Sequence, residues 1–253
     1  MTTTTAMPLS RLVRSYCTEA KYETLRMLRA PAFVFPTLLL PVGLYLLLGV
    51  AIFGNVADPQ TAAVIFTAFA TFATIGPGMF SFGISLAQER QQGILTLKRA
   101  LPMPPAAYLL SKMFMAVVFS AVVMTVLTTI AIVSGHLPHV HGGQILRLAV
   151  VCTFGTLPFC ALGLLIGTVA SGASAPAFVN AIYFPMIYLS GLFFPLPAFL
   201  SRVAPMWPAY HLNQLALNAV GVTAARPLLH GLVLGLFMLA CTFVALRRLS
   251  RVG

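Results

Sequence analysis

Six long apolar runs, at residues 32–53, 61–87, 106–133, 148–170, 176–195 and 228–246, alternate with short polar breaks. Each approaches or exceeds the ~20 residues that carry a helix across a bilayer. Helices are required, because backbone polar groups surrounded by lipid must be satisfied within their own segment. The breaks fall at 55–60, 88–105, 134–144 and the small uncharged turn 171–175. Residues 196–227 are apolar but interrupted by prolines, which reads as re-entrant or interfacial structure. Ahead of the first run, Leu9, Leu12, Val13, Tyr16, Ala20, Leu25 and Leu28 recur at roughly helical spacing with charges between them. That pattern predicts an amphipathic helix along a membrane surface. The expected architecture is an all-α polytopic membrane protein. A segment at 1–31 precedes one transmembrane domain at 32–246, and a tail at 247–253 follows it.

Composition supports this pattern. Of 253 residues, 59% are hydrophobic and 8% charged, and mean hydropathy is +0.96. A water-soluble globule carries about 25% charged residues, so that class is excluded. The first apolar run starts too late, and is too long, for a cleavable signal peptide. The net charge of +11 comes from 15 Lys and Arg against 4 Asp and Glu. Five basic residues precede the first run, four (Arg90, Lys98, Arg99, Lys112) follow the second, and three end the chain. Basic residues favour the cytoplasmic side, so both termini are expected in the cytoplasm. The charge then calls for no nucleic-acid partner.

The runs contain no Asp, Glu, Lys or Arg except Lys112, which is expected to snorkel along its stem to the interface. Buried ionisable groups mark ion-coupled carriers, so a self-powered transporter is disfavoured. GxxxxGK[ST] is absent, so nucleotide hydrolysis would fall to a partner. Cys17, Cys152, Cys160 and Cys241 form no CxxC and suggest no disulfide framework. His136, His139 and His141 share one external loop but have no nearby Cys, Asp or Glu, so a solvated loop is favoured over a metal site. His230, Trp207, Tyr210 and His211 read as interfacial groups. Gly76-Pro77-Gly78 predicts a bend in the second run, and Gly163-x-x-x-Gly167 and Gly231-x-x-x-Gly235 predict close helix packing within the chain.

Two stretches resemble one family. Glu89-Arg90-x-x-Gly93, followed by Leu97, Leu101, Pro104 and Lys112, is similar to the loop after the second span of ABC-2 type permeases, the membrane subunits of type V ABC exporters. Residues 189–195, then Pro205, Trp207-Pro208, Tyr210 and His211, resemble that family's external region. Trp207-Pro208-Ala209 stands where the family often has Asn-Pro-Leu.

The resemblance implies a connecting helix bearing Arg26 and Arg29, with either arginine available to pair with Glu89. It implies a coupling helix carrying Glu89, Arg90, Gly93, Leu97, Leu101 and Pro104 against a separate ABC ATP-binding subunit. External re-entrant helices would lie at 198–220, near Pro195, Pro208, Tyr210 and His211. The second and fifth spans would face a second permease, identical or sibling, and line the route. The aromatic and methionine residues recurring on those spans, among them Phe72, Met79, Phe184 and Tyr188, would suit an apolar cargo, although such a stripe is more often plain helix packing. The chain would bind no cofactor of its own, ATP and Mg residing on the partner. The implied activity is export of a drug or antibiotic, lipid-linked molecule or peptide from a bacterial plasma membrane. Rival readings are polysaccharide or glycolipid export, a lipid-modifying membrane enzyme using the external histidines, and a membrane scaffold.

Overall fold

The computed structural model describes residues 9–54, 58–100, 105–135, 140–194, 196–224 and 226–252. Among these every regular element is helical. Helix α1 (Leu9–Leu28) precedes a first membrane-length segment built from α2 (Pro31–Val34), α3 (Leu40–Leu44) and two π-helical stretches, Phe35–Leu39 and Tyr45–Ile52. Pro31, Pro36 and Pro41 lack the N–H that an α-helical ladder needs. The wider π turn accommodates this register, and the Leu40 amide donates to the Phe35 carbonyl. The Tyr45 ring lies over Gly49, where a Cβ would approach it to 2.5 Å.

Next come α4 (Pro59–Gln91), α5 (Ile94–Ala100), α6 (Pro105–Val133), α7 (Gly142–Gly155), α8 (Leu157–Val169) and α9 (Ala175–Leu189). The short α10 (Ala198–Ser201), a 3-10 turn at Ala204–Met206 and α11 (Pro208–Ala219) lead to α12 (Pro227–Val252). Five helical stretches are long and apolar enough to cross a membrane: Phe35–Ile52, Pro59–Gln91, Ala107–Val133, Gly142–Val169 and Pro227–Leu249. The fifth expected run differs. Its helix, α9, has 15 residues, or about 22 Å at 1.5 Å per residue, against a hydrocarbon core of about 30 Å. Gly191 at φ +66° turns the chain just after it. The fourth run also begins earlier than its hydropathy indicates, at Gly142, and is divided at Thr156 into α7 and α8.

Helix α4 forms the centre and is buried along most of its length. Its hydroxyl groups are satisfied locally: Thr67 donates to the Ala63 carbonyl at 2.7 Å and Thr74 to that of Ala70 at 2.8 Å. Such back-bonding hides polar atoms in an apolar environment. Glycines bring α4 and α8 together. A Cβ on Gly163 would lie 2.9 Å from the Gly78 and Met79 carbonyls, and one on Gly167 would lie 2.8 Å from that of Phe82. Gly231 and Gly235, expected to pack likewise, face open space among the described residues. The chain continues as helix through Pro77.

Candidate functional site: a buried charge cluster and its opposite pole

The end of α1, the end of α4 and the start of α6 converge at one end of the bundle. Lys112, on α6, is fully buried, its side chain turned into the protein rather than along its surface. Its ammonium has three protons, and three acceptors surround it. These are Glu23 of α1, Ser85 of α4 at 2.7 Å and Glu89 of α4 at 3.0 Å. The side chain is spent inward because two carboxylates lie closer than solvent. Arg26 then bridges the acids, donating to Glu23 at 2.9 Å and also to Glu89. The Tyr108 hydroxyl donates to the other Glu89 oxygen at 2.7 Å.

Two acids thus meet two bases. Glu23 and Glu89 are buried, and carboxylates are tolerated there only when paired and hydrogen-bonded. Partial burial of the Arg26 guanidinium lowers its pKa, but Glu89 and Glu23 outweigh that effect and raise it above its ordinary value. Arg29, the alternative partner for Glu89, is exposed and forms no ion pair among the described residues.

The expected coupling residues divide into two groups. Glu89 and Arg90 belong to the last turns of α4 rather than to a separate short helix. Arg90 donates to the carbonyls of Thr168 and, at 2.7 Å, Ala170, capping the C-terminus of α8. Gly93, at φ +72°, breaks the chain after α4, a conformation that L side chains rarely adopt. Leu97 on α5 is exposed. Leu101 and Pro104 lie outside the described residues, as do Pro195, His136 and His139. His141 precedes α7, where its amide donates to the Gln144 side chain at 2.9 Å.

The four expected route residues do not form one wall. Phe72 and Met79 are buried in the core, whereas Phe184 and Tyr188 lie on the exposed face of α9. Tyr183, between these faces, contacts both Phe72 and Phe184 rings. Helical rotation separates residues that a count of aromatics groups together.

The opposite end of the bundle holds a second polar contact, between histidines that the sequence suggested were interfacial. His211 on α11 and His230 on α12 are buried, with their Nδ1 atoms 2.8 Å apart. The Nε2–H of His211 faces the Pro205 carbonyl at 2.8 Å. A carbonyl only accepts, so His211 accepts at Nδ1 and His230 donates. Tyr210 stacks edge-on against both rings, and Pro208 is buried at the start of α11. Helix α11 also reaches α4, where the Thr71 hydroxyl donates to Asn213 at 3.5 Å. Sequence reasoning missed Glu23 and the inward role of Lys112. The available signal was the scarcity of acids: with only four in the chain, a lone lysine in an apolar run has few possible partners.

The ends of the bundle therefore share one character, in which connecting segments are tied to spans by buried polar side chains. Residues 14–225 match the family described as ABC-2 type transporter. The chain is also 26% identical over 202 residues to the Bacillus subtilis (strain 168) protein named "Putative transport permease YvfS", an alignment covering 78% of this chain and 82% of that protein. The family assignment and this relative identify a transport subunit rather than an enzyme. With a match across most of its length and the membrane-length helices found here, the chain belongs to the ABC-2 type transporter family, as a multi-pass membrane permease.

Proposed function

We propose that this chain is the membrane subunit of an ATP-driven exporter that moves a hydrophobic or amphipathic molecule outward across a bacterial plasma membrane. It pairs with a second permease, and each rests on a separate ATP-binding subunit. Both termini face the cytoplasm, α9 with the turn beyond it serves as the fifth of six spans, and α11 re-enters from outside. Among cargo classes, drugs or antibiotics suit a chain so poor in charge.

The observation that carries this reading is the Glu23–Arg26–Glu89–Lys112 cluster. It clamps α1 and α6 to the end of α4, a few residues before the Gly93 break from which α5 leaves. A push on α1 or α5 would then move α4, and Arg90 would carry that displacement to α8. A packed bundle switches between discrete arrangements rather than deforming continuously. ATP-driven closure of the partner subunits would bias such a switch.

Co-expression with the ATP-binding subunit tests the reading. The wild type should co-purify with it and show ATP hydrolysis coupled to cargo movement. Leu97→Glu, on an exposed position, should abolish coupling while leaving the permease folded. Gly93→Pro should do the same, since proline cannot adopt positive φ. A chain that never binds an ATPase, or a Leu97→Glu variant that transports normally, would sink the proposal.

A further inference from the structure

Beside the charge cluster lies a cavity of about 430 Å3, bounded by the end of α1, the start of the first membrane segment, the second half of α4 and the start of α9. Its volume falls within the ~300–1,000 Å3 range of small-molecule sites. The lining has two parts. Phe33, Phe35 and Phe80 make an apolar wall, while Arg26, Gln88 and Asn180 supply polar groups. Phe35 and Gln88 are exposed, so the cavity opens where they stand. Glu23 and Glu89 do not line it. Arg26 is therefore the charged side chain that the cavity presents, and 44% of it remains exposed despite its two carboxylate contacts. A guanidinium has five N–H donors, and both carboxylates are met by Nη2.

We infer that this cavity binds an amphiphile with an anionic head, the head on Arg26 between Gln88 and Asn180 and an apolar chain along Phe33, Phe35 and Phe80. The sign of the head follows from the lining. A cationic head would meet Arg26 without a facing carboxylate, whereas a phosphate or carboxylate would gain charge-assisted hydrogen bonds in a partly dry site. The same contact links occupancy to the cluster. An anion on the remaining Arg26 donors shares the positive charge that holds Glu89 and Glu23, and so weakens the tie between α1 and α4. Binding rests on the cavity alone; only the ligand's role as cargo rests on the export reading.

The test uses the full chain in phosphatidylcholine nanodiscs and two photoactivatable probes with identical diazirine tails, dodecyl phosphate and dodecyltrimethylammonium. The phosphate probe should label peptides spanning 33–36 and 80–84, saturably, with unlabelled dodecyl phosphate as competitor. Arg26→Gln should raise its half-saturation concentration about tenfold, the loss expected for one charge-assisted contact. Because that variant also disturbs the cluster, Ile84→Trp provides a second route. It occupies the cavity while leaving Arg26 and its carboxylate partners unsubstituted, and should remove the labelling at an unchanged unfolding temperature. Equal labelling by the cationic probe, or undiminished labelling of Ile84→Trp, would overturn the inference.

Two further arms separate the sources of the ligand. Loss of labelling in phosphatidylglycerol discs assigns the site to a bilayer lipid. ATP-dependent outward movement of the phosphate probe by the complex with its ATP-binding subunit assigns it to cargo. Labelling without movement leaves the site standing and counts against the export reading.

Discussion

The two ends of α4 each carry an acid, and they use it in opposite ways. Asp58, just before the helix, is exposed and accepts from the Thr61 amide at 2.7 Å and the Thr61 hydroxyl at 3.2 Å. Glu89, near the other end, is 1% exposed and meets Arg26, Lys112 and Tyr108. The first is a local cap that involves one turn of one helix. The second joins three helices far apart in sequence. A carboxylate in water contributes modestly wherever it sits, whereas a buried one is tolerated only through its partners. The effect of breaking each should therefore scale with burial and partner number, not with charge.

Lys112→Met tests the buried end most severely. It leaves Glu23 and Glu89 facing one arginine, and removing one partner from a buried pair costs about 3–5 kcal/mol. We expect a large fall in unfolding temperature, read by size-exclusion chromatography of heated detergent extracts. Adding Glu23→Gln should recover much of the loss, because one acid and one base remain. A single variant as stable as the wild type would show that the cluster does not hold α1 and α6 in place.

Gly163→Leu comes next. Its Cβ meets the backbone of α4 at 2.9 Å, and backbone cannot swing aside as a side chain can. Overpacking of this kind costs about 1–3 kcal/mol. Gly231→Leu, at an open position, is the control and should leave the unfolding temperature near that of the wild type. Equal loss in both would place the sensitive surface outside the α4–α8 contact.

Arg90→Met removes the cap on α8 but leaves the cluster intact. Charge at a helix C-terminus contributes about 0.3–2 kcal/mol, so the expected loss is smaller than either above. Hydrogen exchange should quicken at residues 168–172 and stay unchanged near Glu23. Arg90→Lys should recover part of the protection, since it keeps the charge but not the forked geometry that reaches two carbonyls.

What was legible in the sequence follows from what hydropathy measures. Long apolar runs became long helices, because nothing else satisfies their backbone in lipid. Hydropathy does not report direction, however. Leu192, Phe193 and Phe194 are as apolar as a span, yet Gly191 has already turned the chain. Thr156 and Pro158 sit inside one apolar run, but one helix ends and the next begins there. Lys112 illustrates the same blindness for side chains. At the edge of a run a lysine reads as snorkelling, and its inward course depends on Glu23, which lies 89 residues away. The Arg26–Glu89 contact was accessible because few charges were available to pair. The contact between His211 and His230 was not, since it depends on how α11 folds back against α12.

Asp58 should show the smallest effect, and it sharpens the contrast because its charge can be titrated away. The Thr61 amide holds its carboxyl below the usual aspartate range. A depressed folded-state value contributes stability that is present above the unfolded value, near 3.9, and is lost as pH falls through the folded one. Acidification in that window should loosen only the first turn of α4. After correction for intrinsic rates, hydrogen exchange at Thr61 and Ala62 should rise on acidification, while the end near Glu89 stays protected. Asp58→Asn keeps a capping oxygen without a titrating proton, so its corrected profile should be flat. If the Asp58→Asn variant shows the same acid dependence, the titration belongs to another group. If the Glu89 end loosens with it, α4 transmits strain along its whole length and its two ends are not independent.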